Sequence, residues 1–247
     1  MSDQTDSTLQ LTTARIATTL RQWRDQSDTP DLDEIATSPT YVTLDGRDVP
    51  RVWHLSKRYG RLLYLLVKTF QPKSILEIGM ATGVSSAYIA RARQSYASQT
   101  ASSHVIVDPF QTTDWGGGGK ALLSQLGLTD GIEIVEEPSV FAVPLLEKSG
   151  RRFDFVFIDG NHCLDYTLAD VLVSDRVLHT GGLLVLDDAH SFGVKPAVRY
   201  LDHSRFNLRR ILLDPFAVHF LREAVEKRRR FAVYQKISHD VRGAHGV

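Results

Sequence analysis

Ser74-Ile75-Leu76-Glu77-Ile78-Gly79-Met80-Ala81-Thr82-Gly83-Val84-Ser85 is the stretch that decides the fold. An apolar run closes on an acid, two glycines four residues apart follow, and helix-like spacing continues over 84–95. A short apolar run without polar alternation predicts a strand buried on both faces, as in a parallel sheet covered by helices. The runs 104–108, 132–135, 153–158 and 183–186 repeat the form, with helical candidates at 117–127, 139–149 and 164–178 between them. This alternation predicts a doubly wound, Rossmann-like α/β sheet with helices on both faces.

Outward from that core, 194–200 predicts a further helix, and 208–213 and 231–237 predict two more strands. Lys227-Arg228-Arg229-Arg230 reads as a solvated helix end. Upstream, 55–70 predicts a packed helix closed by Pro72, because the residue before a proline is pushed out of the helical region. Residues 27–51 hold Pro30, Pro39 and Pro50 and read as an irregular connection. Leu9, Ile16, Leu20 and Trp23 are spaced as a helix, after a polar start over 1–8. Residues 1–54 thus read as an N-terminal extension, a cap or oligomer contact, and 55–247 as the main domain. Gly116 to Gly119 is the low-complexity piece, and with Trp115 it reads as a mobile flap or a loose surface loop.

The chain has 247 residues, and Lys plus Arg equals Asp plus Glu at 29 each. A general nucleic-acid binder usually carries a basic excess, so that class is disfavoured. The single cysteine, Cys163, rules out an internal disulfide and fits a reducing cytoplasm. No apolar run approaches the roughly 18 residues a membrane span needs. The polar start MSDQTDSTLQ is unlike a signal peptide. The expectation is a globular cytoplasmic protein without a membrane or nucleic-acid partner.

Four of the apolar runs end in acid: Glu77, Asp108, Asp159 and the pair Asp187-Asp188. One strand-end aspartate can merely cap the next helix. Four such ends point instead to one crevice, since open parallel sheets bind ligands outside the carboxyl ends of their strands. The first loop lacks the middle glycine of G-x-G-x-x-G and the Gly-Lys-Ser/Thr of a P-loop, so it is not built around a pyrophosphate. Glu77 can accept hydrogen bonds from a hydroxyl or ammonium group, and Asp108 from both hydroxyls of a ribose. Together they predict adenosine without phosphate, which is S-adenosylmethionine.

Glu77-x-Gly79-x-x-x-Gly83 with Asp108 resembles motifs I and II of class I S-adenosylmethionine-dependent methyltransferases. Ile158-Asp159-Gly160-Asn161-His162 and Leu186-Asp187-Asp188 resemble the bacterial macrocin and mycinamicin O-methyltransferase group, and more distantly catechol O-methyltransferase. The likeness spans about residues 55–237. It implies a cofactor set of Glu77, Gly79, Ala81, Gly83, Ser85, Asp108, Ser139 and Asp159. It also implies a divalent cation, usually magnesium, on Asp159, Asp187 and Asp188, which suits an ion that prefers hard oxygen ligands.

The same resemblance places a general base at His162, where catechol O-methyltransferase carries a lysine. Asn161 stands where some relatives have an aspartate, and it cannot take a proton. Ser139 reads both as a helix N-cap and as an adenine contact. His190 reads as either a crevice or a loop residue, and Cys163 as packing. The implied activity is magnesium-dependent O-methylation of a small hydroxylated molecule, such as a sugar, phenol or natural product, with a homo-oligomer possible. The alternatives are a metal-independent O- or N-methyltransferase with Asp159 and Asp187 in structural roles, a nicotinamide-dependent dehydrogenase, and a non-catalytic cofactor-binding partner.

Overall fold

The computed structural model describes residues 28–52, 55–97, 102–211 and 230–240. The helix expected around Trp23 and the basic residues Lys227 to Arg229 lie outside the described residues. A seven-stranded sheet forms the centre. Its strands are β3 (Ser74–Ile78), β4 (Ser103–Val107), β5 (Ile132–Val135), β6 (Phe153–Ile158), β7 (Leu178–Leu186), β8 (Leu208–Ile211) and β9 (Ala232–Lys236). They are ordered β5-β4-β3-β6-β7-β9-β8. The first five run parallel, and β9 is antiparallel to both β7 and β8.

The chain lays β3, β4 and β5 outward in one direction, then returns to place β6 on the other side of β3. The strand order therefore reverses between β3 and β6. Crossovers are α3 (Val84–Ala97), α4 (Gly118–Gln125), α5 (Ser139–Lys148) and α6 (Leu164–Val177), with α7 (Val194–Ser204) beyond β7. Side-chain alternation divides the core. Phe155 and Phe157 of β6 pack with Leu63, Leu66 and Tyr88 on one face, where α2 (Lys57–Phe70) and α3 lie. Val156 and Ile158 pack with Val143 and Val171 of α5 and α6 on the other. Each such buried side chain stabilises the fold by roughly 1.5–3 kcal/mol. These two-sided interiors explain why the strands read as unbroken apolar runs.

The stretch expected to be irregular is ordered. It forms α1 (Pro30–Thr37) and a hairpin of β1 (Thr40–Val42) with β2 (Asp48–Pro50). Its prolines misled the reading because they stand where no backbone donor is needed. Pro30 opens a helix, and Pro50 ends an edge strand. Asp33 of α1 is buried and accepts from Arg61 Nε at 2.8 and 2.9 Å and from Tyr88 Oη at 2.8 Å. That network ties α1 to α2 and α3.

The four glycines are the seat on which the hairpin lies, and their flap reading is corrected. Leu44 N–H donates to the Gly116 carbonyl at 2.9 Å. A Cβ added to Gly116, Gly117 or Gly118 would stand 2.8, 2.2 or 2.5 Å from side-chain atoms of Thr43, Leu44 or Tyr41, and one at Gly119 would stand 2.8 Å from Met80. Bare backbone is what lets the hairpin and the first loop approach from two sides.

Candidate active site

The strand ladder carries past the strand ends and gathers the acids. Gly79 N–H donates to Val107 O at 2.9 Å, Asp108 N–H to Val135 O at 3.0 Å, Asp159 N–H to Ile78 O at 2.8 Å, and Asp187 N–H to Ile158 O at 2.9 Å. Every acid singled out from the sequence therefore lies at the carboxyl edge, around the β3–β6 reversal where such sheets bind ligands. Gly79 sits at φ +89, and a Cβ there would be 2.1 Å from the Asp159 carbonyl oxygen. Only glycine lets these two loops touch. Gly83 follows at the entry to α3, and Ala81 between them adopts φ +47.

Glu77 and Asp108 are both held by contacts within the chain. Asp108 is 3% exposed. Its Oδ2 accepts from Met80 N–H at 2.9 Å, Ala81 N–H at 2.8 Å and Gln111 Nε2 at 3.1 Å, and its Oδ1 accepts from Phe110 N–H at 2.8 Å. With four donors supplied from within the chain, it organises the glycine loop. Glu77 is wholly buried, accepts from Ser85 Oγ at 2.7 Å, and has His104 Nε2 at 2.9 Å. It pins the start of α3 to β4. Gln111 and His104, which complete these contacts, had no sequence signal, because only the strand order makes them neighbours.

Ser139 is the first residue of α5, after Pro138, and is not its N-cap. Its hydroxyl donates to the buried Asp170 of α6. Burial pushes the Asp170 carboxyl up to about 6, and the Ser139 hydrogen bond pulls the other way. Cys163 is exposed rather than packed, and its N–H donates to Asn161 Oδ1 at 2.9 Å at the start of α6.

His162 stands between two carboxylates. Nε2 is 3.3 Å from Asp159 Oδ1, and Nδ1 is 3.4 Å from Asp188 Oδ2. The contact with Asp159 is the main cause raising its pKa above the ordinary histidine value, against burial. Burial first, then the Asp187 charge, pushes the Asp159 carboxyl upward. His190 Nδ1 lies 4.0 Å from Asp188 Oδ1, which puts it in the same crevice. Asp188 itself turns at φ +45.

The three acids expected to hold magnesium do converge, but their arrangement does not fit that ion. Arg230 grips Asp187 with Nε on Oδ1 at 2.6 Å and Nη2 on Oδ2 at 2.7 Å. Asp188 N–H donates to the same Oδ1 at 2.6 Å. Magnesium requires oxygens at about 2.0–2.1 Å in near-octahedral order, and both Asp187 oxygens are committed to N–H donors. Among the described residues no three His, Cys, Asp or Glu side chains are set to hold a metal ion. The solvated reading of Arg230 is corrected by the same contacts.

Residues 76–189 match the family model described as a methyltransferase domain. Over that stretch the chain is similar to class I S-adenosylmethionine-dependent methyltransferases. A curated relative is a catechol O-methyltransferase of Mycobacterium tuberculosis, 26% identical over 156 residues, covering 63% of this chain and 66% of that one. Cofactor-bound Rv0187 of the same organism has the same fold at 21% identity and TM-score 0.58, over 86% of this chain and 99% of that one. The O-methyltransferase TomG from Streptomyces achromogenes, solved with S-adenosylmethionine and involved in tomaymycin synthesis, aligns at 19% identity and TM-score 0.54, over 87% and 92%. The methyltransferase domain accounts for the glycine loop without a P-loop lysine. Among the described residues no helix is long and apolar enough to cross a membrane.

Proposed function

We propose that this chain transfers a methyl group from S-adenosylmethionine to an oxygen of a small hydroxylated molecule in the cytoplasm. The observation that carries the reading is His162, held between Asp159 and Asp188 at the sheet's carboxyl edge, beside the Gly79 loop. The edge suits this cofactor: its loop is glycine-rich, and the exposed aromatic Phe110 lies two residues beyond Asp108. The O-methyltransferase relatives support oxygen as the acceptor atom.

When bound, S-adenosylmethionine supplies an electrophilic methyl on a sulfonium. The chain's own task is then placement and proton removal, and placement supplies most of the barrier reduction in such displacements. His162 takes the acceptor hydroxyl proton on Nδ1, with Nε2–H donating to Asp159, as the oxygen–carbon bond forms and the sulfur–carbon bond breaks. Asp159 and Asp188 fix the ring and stabilise the imidazolium that results. Magnesium is left out of this reading because Arg230 occupies Asp187. The segment 189–195, which carries His190 beside Asp188, is assigned to shaping the acceptor pocket.

The test is calorimetric titration of S-adenosylhomocysteine into the full-length chain in EDTA. Micromolar binding is expected. No binding, or stabilisation by a nicotinamide dinucleotide instead, would overturn the assignment.

A further inference from the structure

We infer that Arg230 is the resident cation of this site and keeps divalent metal out of it. The inference rests on the proposed methyl transfer for its setting, and on the geometry of Arg230 for its content. The guanidinium meets Asp187 in a paired, side-on contact, the geometry in which arginine holds carboxylates most firmly. Its Nε also lies 3.5 Å from Asp188 Oδ1, so one cation serves both members of the acidic pair. The Asp187 side chain is wholly buried and that of Arg230 is 18% exposed, so solvent does little to loosen the pair.

The guanidinium is also aimed by the backbone. The Arg230 carbonyl accepts the Ala189 N–H at 2.7 Å, fixing this residue beside the Asp187-Asp188 turn. Phe231, next in the chain, packs edge-on against Phe157 at 5.8 Å between ring centroids and lies 5.6 Å from the ring of Tyr59. The Tyr59 ring in turn has the guanidinium carbon 5.3 Å from its centroid. Four contacts thus hold the charge in place: the carboxylate pair, the backbone, the aromatic face and the neighbouring ring stack.

A metal ion entering here would have to strip that guanidinium from a buried carboxylate. Three clustered carboxylates repel one another unless a cation stands among them. Arg230 is covalently part of the chain, so the charge is supplied without loading from solution. Arg230 is a positioning residue in this account: it neutralises Asp187 and leaves Asp159 and Asp188 to hold His162. It follows that the acceptor needs no second oxygen to chelate a metal, and a single hydroxyl is enough.

The experiment titrates magnesium into EDTA-treated, full-length wild type and Arg230→Ala, followed by calorimetry and thermal melting at matched ionic strength. Wild type should give no magnesium heat up to millimolar ion and no shift in melting. Arg230→Ala, its carboxylates freed, should gain magnesium-dependent stabilisation of about 3 °C or more. Stoichiometric magnesium binding by wild type would overturn the inference. So would a folded Arg230→Ala that stays indifferent to magnesium. If the alanine variant does not fold, Arg230→Lys and the wild-type titration still decide, since a lysine retains the charge and should also exclude the ion. S-adenosylhomocysteine is titrated in parallel, so failure of cofactor binding is read separately from failure of metal exclusion.

Discussion

At the scale of single residues, the acids of this site divide by what they hold. Asp108 and Glu77 hold the chain itself, and Asp159 and Asp188 hold His162. Asp108→Ala should therefore injure the loop before it injures a ligand contact. It leaves several buried donors unpaired, at about 3 kcal/mol in total. A lower melting temperature and at least tenfold weaker S-adenosylhomocysteine binding are expected, measured by melting and calorimetry on the same sample. His162→Ala should behave otherwise. Turnover should fall on the order of 10²–10⁴-fold, as for a lost general base, while S-adenosylhomocysteine affinity stays within roughly threefold of wild type.

The pH profile has a defined sign. Asp159, Asp187 and Asp188 face the His162 ring, with Arg230 the opposing charge, and the Asp159 contact raises its pKa above the ordinary value. A base must be unprotonated, so kcat/KM should fall as pH drops through that raised value. Asp159→Asn should move the limb toward lower pH, and an unchanged limb would remove His162 from the role. The acids were legible in the sequence because each ends an apolar run. Their partners were not. Gln111, His104, Ser85 and Arg230 become partners only once neighbouring strands are known, and periodicity within one segment does not carry that.

At the scale of elements, the first four parallel strands and the four crossover helices follow the sequence to within a few residues, because two-sided burial leaves an unmistakable apolar run, while β7 begins at Leu178, ahead of the run read at 183–186. The N-terminal elements escaped for the opposite reason. The hairpin strands β1 and β2 are three residues each, too short for a pattern, and their prolines stand where strands and helices tolerate them. Nor could the glycine run be read from composition. It looks loose as a sequence and is tightly packed in the fold. Gly117→Ala tests this. The residue sits at φ +70 and its new Cβ would meet Leu44, so a cost of about 1–2 kcal/mol is expected. That corresponds to a drop of several degrees in melting temperature. Amide exchange should rise over 40–50 before the rest of the chain, and uniform exchange would show that the hairpin does not depend on its seat.

Across the whole molecule, stability carries a pH term from α6. The Asp170 carboxyl is raised from 3.8 to about 6 by burial. Raised in the folded state, it contributes stability that is fully present below its unfolded pKa and lost as pH rises through the folded one. The window is therefore about pH 4 to 6, and the loss amounts to about 2–3 kcal/mol. Asp170→Asn keeps an acceptor for Ser139 and removes the buried charge. It should raise the melting temperature at pH 7 to 8 and give no gain at pH 4. A gain of the same size at both would place the effect in packing.

The reversed strand has a consequence for how the protein comes into being. Arg230 stands 43 residues beyond Asp187 and enters the edge of the sheet only because β9 runs against its neighbours. A ribosome makes every other charged group of the site first. Until Arg230 is added, the growing chain carries its carboxylates without the guanidinium that balances them. Synthesis thus proceeds from scaffold to chemistry, and this guanidinium is the last of the crevice's charged groups to be made.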